Sequence, residues 1–350
     1  MKIAVLVSGG VDSSVALKLL QEEGHELTAF YLKIWLEDEL SYLGSCPWEE
    51  DLSYVTQVCE KLNIPLEVIS LQKEYLDEVV KYTIEECKLG RTPNPDVLCN
   101  SRIKFGLFFS KIDSSYEKIA TGHYAQIIQN NDIFKLFAAP DSIKDQTYFL
   151  AHLNQNQIKR IIFPIGHLQK SQVRALAQKY DLPNKDRKDS QGICFLGKFK
   201  FKDFIKAHLG TKLGDVVEFE TNQKLSQHEG YWFYTIGQRQ GIGLAGGPWY
   251  VVKKDIEKNI IYVSKNYHSM DKQRNKFNVT NFNWLNGKNS DFVDLKVKIR
   301  HGELKYNCSF DFISENEALV ILDKNDQGIA SGQFAVFYKN DECLGLGVIK

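Results

Sequence analysis

The chain has 350 residues, with 44 Lys and Arg balancing 44 Asp and Glu, and 43% of its residues are hydrophobic. Because one hydrophobic core rarely organises so long a chain, we expect two or three domains. No apolar run approaches the ~20 residues that span a bilayer, and the run starting at Ile3 is too short for a signal peptide core. These features exclude a membrane protein, and a cytoplasmic protein is expected.

The first 160 residues or so alternate short apolar runs with amphipathic segments. The runs predict strands at Ile3–Val7, Leu27–Leu32, Leu66–Ser70 and Lys118–Ala120, and the segments predict helices at Asp12–Glu23, Glu49–Leu62 and Lys73–Lys88. This alternation is typical of an α/β domain, with a parallel sheet covered by helices on both faces. Ligands of such sheets bind beyond the carboxyl ends of the strands.

The first predicted strand ends in a loop that is suited to phosphate binding. It reads Ser8-Gly9-Gly10-Val11-Asp12-Ser13 and leads directly into the first predicted helix. The two glycines let the backbone approach an anion closely, and the helix N-terminus and serine hydroxyls favour negative charge. The loop lacks the lysine of the common phosphate loop. Asp12 is suited to a magnesium ion that the phosphates also bind.

After residue 160 the sequence changes character twice. Residues 161–209 are predicted to be mostly helical, with "KSQVRALAQKY" the clearest case. From Leu213 onward, short β-rich runs predict one or two small β modules, the last a barrel, separated near Ser264–Asn275. The runs are "GDVVEF", "YWFYTIG", "WYVVKKD", "NIIYVS", "DLKVKIR", "ALVILD" and "CLGLGVIK". Within "YWFYTIGQRQGIG", Gln238 and Arg239 are expected to be the more exposed residues.

A basic segment lies between Leu168 and Lys212. It contains 11 Lys and Arg against four Asp, which gives 11 − 4 = +7. Such an excess of positive charge is typical of a surface that binds a polyanion. A solvated lysine-rich face is the alternative interpretation.

The seven cysteines include two in polar, cationic loops. An odd count with no Cys-x-x-Cys spacing argues against a disulfide framework and against a zinc or iron–sulfur site. Cys99 follows "GRTPNPDVL" near a predicted helix start, and Cys194 follows "RKDSQGI". Nearby cations stabilise a thiolate, so these two are candidate reactive thiols. The others are expected to be inert core thiols: Cys46, Cys59, Cys87, Cys308 and Cys343.

These motifs together resemble the tRNA-specific 2-thiouridylase family of the PP-loop ATP pyrophosphatase superfamily. The resemblance runs through nearly the whole chain and rests on "SGGVDSS", "GRTPNPDVLCN", "ATGHYA", "KDQTYFL", "KDSQGICF", "TIGQRQGIG" and "SGQ". It implies an adenine nucleotide α-hydrolase-like domain at residues 1–200. A small tRNA-binding domain at 201–268 and a C-terminal β-barrel at 269–350 would follow.

The resemblance also implies an activity, which is ATP-dependent 2-thiolation of the wobble uridine of tRNA. Cys194 would carry a persulfide, Cys99 would be its partner nucleophile, and Asp96 would act as acid or base. The residues implied to contact ATP are Leu6, Val7, Ser8, Gly9, Gly10, Val11, Asp12, Ser13, Leu32 and Gly122. Those implied to contact the target base or tRNA are Asn94, Pro95, Asp96, His123, Lys144, Asp145, Gln146, Arg300, His301 and Gln333.

The implied partners follow from the same resemblance. ATP would be a substrate used with Mg²⁺, with no tightly bound cofactor. The lysine, glutamate and glutamine tRNAs would be acceptors, and a cysteine desulfurase relay would supply sulfur to a monomeric enzyme. The persulfide could attack directly or release hydrosulfide, and both routes stay open.

The sequence departs from the family pattern at two positions, where Leu32 replaces a common methionine and His301 a common tyrosine. Three alternatives remain at this stage: another PP-loop RNA sulfurtransferase, an amide-forming ligase, or an inactive RNA-binding paralogue. A ligase would not need the two loop cysteines. Against an inactive paralogue, the candidate loop residues and both thiols are present.

Overall fold

The computed structural model describes residues 1–34, 48–189, 200–269, 274–287 and 292–350. In these ranges the strands are β1 (Lys2–Leu6), β2 (Glu26–Lys33), β3 (Leu66–Ser70), β4 (Lys118–Ala120), β5 (Ala125–Asn130), β6 (Ile133–Ala138), β7 (Ile161–Ile162), β8 (Gly214–Glu218), β9 (Lys224–His228), β10 (Tyr250–Asp255), β11 (Ile260–Ser264), β12 (Lys276–Trp284), β13 (Leu295–Lys298), β14 (Tyr306–Ser314), β15 (Glu317–Leu322), β16 (Phe334–Lys339) and β17 (Glu342–Ile349).

The helices in the same ranges are α1 (Val11–Glu22), α2 (Trp48–Leu62), α5 (Thr147–Leu150), α6 (Gln155–Ile158), α7 (Lys170–Lys179) and α8 (Phe201–Leu209). Two longer helices contain π-helical turns. Helix α3 consists of Gln72–Tyr75, the π-helical Leu76–Val80 and Lys81–Lys88. Helix α4 consists of Pro95–Leu98, the π-helical Cys99–Leu107 and Phe108–Lys111.

The N-terminal part is built on a parallel sheet with strand order β3-β2-β1-β4-β7. The central strand β1 is fully buried at Ile3, Ala4 and Val5, as expected for a strand covered on both faces. Helix α1 packs Val15 and Leu20 into the core on one side of the sheet. The α/β fold and its predicted strands are confirmed, with ends that differ by one residue at β1 and β2.

The middle part holds a four-stranded sheet with the order β10-β11-β8-β9. The strand predicted from "YWFYTIG" is wrong, because Tyr231–Phe233 forms a 3-10 turn and the residues after it lack strand pairing. Gly230 and Gly237 have positive φ angles of 153° and 86°, which extended strands do not use. The aromatic side chain of Tyr231 is nevertheless buried, in a small core with Trp249.

The C-terminal strands form a closed antiparallel barrel in the order β12-β15-β14-β13-β16-β17, which the β12–β17 pairing closes. Strand β17 also pairs with β6 of the β5–β6 hairpin through Cys343 and Leu136. The hairpin, which the sequence reading did not predict, therefore attaches the barrel to the N-terminal part. One hydrophobic cluster spans both parts and includes Tyr148 and Tyr338, each fully buried.

Candidate functional site

The predicted phosphate-binding loop, Ser8–Ser13, is called the nucleotide loop from here on. It follows β1 at the carboxyl edge of the parallel sheet. Gly9 takes a φ of +76°, and the Ser13 hydroxyl accepts from the Ser8 amide over 3.2 Å and donates to the Gly10 carbonyl over 3.1 Å. These bonds close the turn on itself and leave it at the N-terminus of the twelve-residue helix α1. A closed glycine turn against a helix N-terminus is a favourable place for phosphate.

Gly122, after strand β4, packs directly against this loop. A Cβ atom there would lie 2.7 Å from both the Asp12 carbonyl carbon and the Ser13 nitrogen. Only glycine therefore lets the end of β4 approach the first turn of α1. Of the other residues implied to contact ATP, Leu6 and Val7 are buried at the end of β1, whereas Leu32 is half-buried near the end of β2.

Asp12 is the centre of a polar cluster that no sequence motif predicted. Its Oδ1 accepts from the Lys170 ammonium over 2.7 Å and from the Tyr124 hydroxyl over 2.9 Å. Lys170 also contacts Asp189 Oδ1 over 2.8 Å, and Lys144 contacts Asp189 Oδ2 over 2.7 Å. The cluster thus brings cations beside a loop whose sequence contains none.

The charge of Asp189 is stabilised by this arrangement. Partial burial disfavours the carboxylate, but hydrogen bonds from Lys144 and Lys170 outweigh that effect and hold the pKa of Asp189 well below its usual range. Burial raises the pKa of Tyr124, as does its bond to Asp12. Tyr124 therefore stays a neutral hydrogen-bond donor at physiological pH.

Asn184 and Arg187, in the segment before residue 190, lie against the nucleotide loop. The amide of the buried Asn184 donates to the Gly9 carbonyl over 2.8 Å and to the Ser14 hydroxyl over 2.9 Å. The Arg187 guanidinium forms an ion pair with Asp51 and would contact a Cβ atom at Gly9. The signal for these contacts lay in the basic segment, but the sequence did not show that it folds onto the loop.

The candidate thiol Cys99 and the candidate acid or base Asp96 lie on helix α4. Pro95 begins this helix, in agreement with the preference of proline for the first helical turn. Cys99 is 1% exposed and belongs to the core cluster that also contains Leu6 and Phe30, whereas Asp96 is half-buried. The thiol thus lies inside the protein rather than on an open loop.

His123 lies between the nucleotide loop and helix α4. It follows Gly122 directly, its Nδ1 lies 2.7 Å from the Thr121 hydroxyl, and its ring is 6.1 Å from that of Phe105 on helix α4. Burial and the nearby Lys104 lower the pKa of His123 well below its ordinary value. The imidazole is therefore neutral at physiological pH.

The loop that leads into helix α4 is held by the other two parts of the molecule. The Thr92 amide donates to the Ser331 carbonyl over 2.8 Å, and the Gln333 side chain donates to the Thr92 carbonyl over 3.4 Å. From the middle part, Thr235 lies 3.3 Å from the Thr92 hydroxyl. The barrel therefore positions the segment that contains Asn94, Pro95 and Asp96.

The three consecutive residues implied to contact tRNA have different environments. Lys144 is half-buried in its bond to Asp189, and Gln146 accepts from the Tyr124 amide over 2.9 Å. Asp145 is 2% exposed and accepts from Lys298 of strand β13 over 2.8 Å. Its side chain thus bonds within the protein, and the tRNA contact of this residue stays a prediction.

Two of the three barrel residues implied to contact tRNA line an open cavity of about 540 Å³. Arg300 and Gln333 line it, and Arg300 donates two hydrogen bonds to Asp326, over 3.0 and 2.6 Å. His301 is exposed, with its ring 4.6 Å from that of Phe149 on helix α5. The predicted exposure of Arg239 is confirmed, whereas Gln238 is half-buried.

Cys194 and Cys46 lie outside the described residues, so the structure does not report on the predicted persulfide carrier. The expectation of inert thiols is confirmed for Cys59 and Cys87, which are buried; burial raises their pKa values to about 11 and about 12. Buried Cys343 likewise has a raised pKa, and that of the half-buried Cys308 is raised to about 12.

Part of the charge of the basic segment is neutralised within the protein. Six of its cations form ion pairs within the protein: Lys170, Arg174, Lys185, Arg187, Lys202 and Lys206. Its net charge is therefore a weaker guide to a nucleic-acid surface than the sequence suggested.

Among the described helices, none combines the length and apolarity needed to cross a membrane. Within the same ranges, no cluster of three or more His, Cys, Asp or Glu residues is arranged to hold a metal ion.

The sheet, the closed glycine turn and the helix N-terminus define a nucleotide-binding α/β domain. Three family models match the chain: the "tRNA methyl transferase HUP domain" at residues 1–198, the "tRNA methyl transferase PRC-barrel domain" at 202–265 and the "Aminomethyltransferase beta-barrel domain" at 274–349.

Curated relatives give the narrower assignment. The chain is 46% identical to the tRNA-specific 2-thiouridylase MnmA of Parabacteroides distasonis and 45% identical to that of Porphyromonas gingivalis, over 100% of this chain and 99% of each relative. The U34-tRNA thiolase NcsA of Methanococcus maripaludis matches 60% of this chain and 65% of its own, with 18% identity and a TM-score of 0.35, too weak a likeness for any conclusion. The chain belongs to the tRNA-specific 2-thiouridylase family.

Proposed function

We propose that this protein catalyses the ATP-dependent 2-thiolation of the wobble uridine in tRNA anticodons, with release of AMP and pyrophosphate. The observation that carries the proposal is the full-length identity of 46% to a curated 2-thiouridylase. The site supports it, because a nucleotide loop and a cysteine-bearing helix meet through Gly122 and His123. No observation in the described residues favours a ligase or an inactive paralogue.

In this proposal ATP is a substrate that binds at the Ser8–Ser13 loop. The residues proposed to contact it are Leu6, Val7, Ser8, Gly9, Gly10, Val11, Asp12, Ser13, Leu32 and Gly122. Asp12 lies beside the loop amides at the helix N-terminus, where a carboxylate fits a Mg²⁺ ion that the phosphates share. Such an ion would offset the charge of the triphosphate. No tightly bound cofactor is proposed.

The first chemical step activates a poor electrophile. The O2 atom of uracil attacks the α-phosphorus of ATP, and the bond to the β-phosphate oxygen breaks with its electron pair on pyrophosphate. We assign removal of the N3 proton, which makes O2 nucleophilic, to the half-buried carboxylate of Asp96. The C2–O bond then ends in a phosphate ester, and AMP can leave. The neutral imidazole of His123 is suited to orienting the base rather than to donating a proton.

The second step transfers sulfur. The outer sulfur of a persulfide on Cys194 attacks C2, and AMP departs with the electrons of the C2–O bond. The Cys99 thiolate then attacks the inner sulfur of Cys194, which forms a disulfide and releases 2-thiouridine. A thiol reductant must reduce that disulfide before the next turnover.

Recognition of the tRNA is proposed to involve all three parts of the molecule, divided at residues 1–200, 201–268 and 269–350. The proposed contacts are Asn94, Pro95, Asp96, His123, Lys144, Asp145, Gln146, Arg300, His301 and Gln333. We propose the lysine, glutamate and glutamine tRNAs as acceptors, a cysteine desulfurase relay as sulfur source, and a monomeric enzyme in the cytoplasm. Because an anticodon loop is single-stranded, turning out one base costs only a few kcal/mol.

Nucleoside mass spectrometry on unmodified tRNA tests this function. The protein is incubated with tRNA, ATP, Mg²⁺, a cysteine desulfurase and cysteine, alongside variants Cys194→Ser, Cys99→Ser and Cys308→Ser. We expect 2-thiouridine with the parent and with Cys308→Ser, the control for loss of a barrel thiol, and none with the other two. Thiolation by Cys194→Ser would remove the persulfide assignment. ATP cleavage without a thiolated base would overturn the assigned substrate.

A further inference from the structure

Lys170 occupies an unusual position beside the nucleotide loop. It begins helix α7, and its ammonium lies 2.7 Å from Asp12 Oδ1 and 2.8 Å from Asp189 Oδ1, with a side chain that is 15% exposed. A mostly buried lysine that touches the one acidic residue of a phosphate loop is an arrangement that the loop motif alone does not require. Lys170 is therefore a candidate residue of the nucleotide-binding site.

The fold holds Lys170 in a fixed position beside the nucleotide loop. Its amide donates to Asp141 Oδ2 over 2.9 Å, and the Gln169 amide donates to Gln172 Oε1 over 2.7 Å at the start of α7. Helix α7 packs against helix α1, with Val173 and Val15 in the same core. Because α1 begins at the nucleotide loop, the packing of the two helices fixes the ammonium relative to the loop.

The surrounding charges balance one another. Three cations (Lys144, Lys170 and Arg174) stand among three carboxylates: Asp12 and Asp189, which their side chains contact, and Asp141, which accepts from the Lys144 and Lys170 amides, so that 3 − 3 = 0. At the nucleotide loop, the Asp12 carboxylate is the anion that the Lys170 ammonium contacts. A phosphate oxygen is an anion of the same kind, so it can take the place of Asp12 on the ammonium.

We propose that Lys170 is the phosphate-binding lysine that the loop sequence lacks, and that it contacts the β- and γ-phosphates of bound ATP. When Mg²⁺·ATP binds, Lys170 exchanges Asp12 for the phosphates and keeps its bond to Asp189, which acts as a positioning residue. As the bond between the α-phosphorus and the β-phosphate oxygen breaks, the ammonium stabilises the charge on the leaving pyrophosphate. The inference rests on the proposed use of ATP.

Calorimetric titrations with ATP, pyrophosphate and AMP in Mg²⁺ test this role. The variants are Lys170→Met, Lys170→Arg and Lys179→Met, which removes an exposed lysine from the same helix. We expect Lys170→Met to weaken ATP and pyrophosphate binding by about 10- to 100-fold, the scale of one charged hydrogen bond. AMP binding should change less than about twofold, because AMP lacks the β-phosphate. Lys170→Arg should recover part of the loss, and Lys179→Met should bind like the parent.

A labelling measurement on the parent protein avoids any effect of substitution on folding. Lysine acetylation followed by peptide mass spectrometry should show that pyrophosphate protects Lys170 whereas AMP does not, with Lys179 labelled equally in all samples. Equal losses of ATP and AMP affinity in Lys170→Met, or no protection by pyrophosphate, would overturn the proposal. A parent that binds ATP through Lys170 yet thiolates no tRNA would overturn the proposed function alone.

Discussion

Lys298 on barrel strand β13 donates to Asp145 Oδ2 over 2.8 Å, and neither residue is more than 2% exposed. Asp145 also accepts from the Thr147 hydroxyl, so this buried ion pair links the segment before helix α5 to the barrel. Two buried charges are tolerated only while they are paired. The relationship explains how the short segment before helix α5 is held against a separate β module.

The variant Lys298→Met should therefore lower the free energy of unfolding by about 3–5 kcal/mol, because it leaves a buried carboxylate without its cation. The double variant Lys298→Met/Asp145→Asn should recover part of that loss, since the remaining side chain carries no charge. Urea denaturation followed by circular dichroism measures both. A loss under about 1 kcal/mol for Lys298→Met would show that the pair is exposed to water in solution.

Two glycines near the nucleotide loop should respond differently to the same change. A Cβ atom at Gly122 would lie 2.7 Å from backbone atoms of Asp12 and Ser13, so Gly122→Ala should cost about 1–3 kcal/mol of stability as well as ATP affinity. Gly10 has an extended backbone, and its Cβ would lie 3.5 Å from the Ser8 hydroxyl. Gly10→Ala should therefore keep parental stability within about 0.5 kcal/mol.

Gly10→Ala should nevertheless bind ATP more weakly, because an added methyl group obstructs the approach of a phosphate to the loop amides. Thermal unfolding and ATP titration on both variants separate the two effects. If Gly10→Ala bound ATP like the parent, the phosphates would lie elsewhere than against this glycine.

The nucleotide loop was predictable from the sequence because its chemistry is local. Six consecutive residues supply the turn, the hydroxyls and the helix start, and the structure places them together as expected. Lys170 and Tyr124 reach Asp12 from 158 and 112 positions away, so no local pattern could reveal their contacts. The family predicted from the motifs is confirmed by the curated relatives. It was predictable because each motif is contiguous in the sequence.

Long-range pairing explains the other differences. Strand β6 meets strand β17 through Leu136 and Cys343, which adds an unpredicted hairpin to the barrel. The hairpin turns at Asn131, whose φ of +53° is one that asparagine adopts more readily than most residues, so the asparagine was a local signal for a turn. The strand predicted at Tyr231–Phe233 is wrong for a local reason. Its alternating aromatic residues have the spacing of a strand, but glycines with positive φ on either side prevent an extended backbone.

Lys254 on strand β10 should make stability depend on pH in a specific direction. Burial lowers its pKa to about 8, below the ordinary 10.5. Below pH 8 both folded and unfolded chains hold the proton, so the full cost of burying the charge is present; between pH 8 and 10.5 the folded state loses the proton and the cost disappears. The contribution of Lys254 to stability therefore rises with pH across that window.

The variant Lys254→Met removes this cost but also removes a hydrogen bond to the Tyr234 carbonyl, which is 2.9 Å long. We expect it to be more stable than the parent by about 1–2 kcal/mol at pH 7. The advantage should vanish or reverse by pH 10.5. Urea denaturation of both proteins at the two pH values measures the change, and a difference that does not vary with pH would contradict the shifted pKa.

The turn at Gly332 should couple the barrel to the loop before helix α4. Its φ is +88°, and an added Cβ would lie 2.8 Å from the Arg91 Cβ and 3.0 Å from the Thr92 nitrogen. Gly287 offers a matched control in the same barrel, because its φ is +82° and a Cβ there would meet nothing within 4 Å. Alanine at either position should carry a similar backbone strain of about 1 kcal/mol.

Only Gly332→Ala should also displace the loop that leads into helix α4, and with it Asn94 and Asp96 at the start of that helix. We therefore expect Gly332→Ala to lower the rate of tRNA thiolation by about tenfold or more, as misplacement near a reacting group does. ATP affinity should be unchanged in both variants, since the nucleotide loop lies on another segment. Single-turnover thiolation assays and ATP titrations on the two variants give the comparison. Equal rates for Gly332→Ala and Gly287→Ala would show that the barrel turn does not position the loop before helix α4.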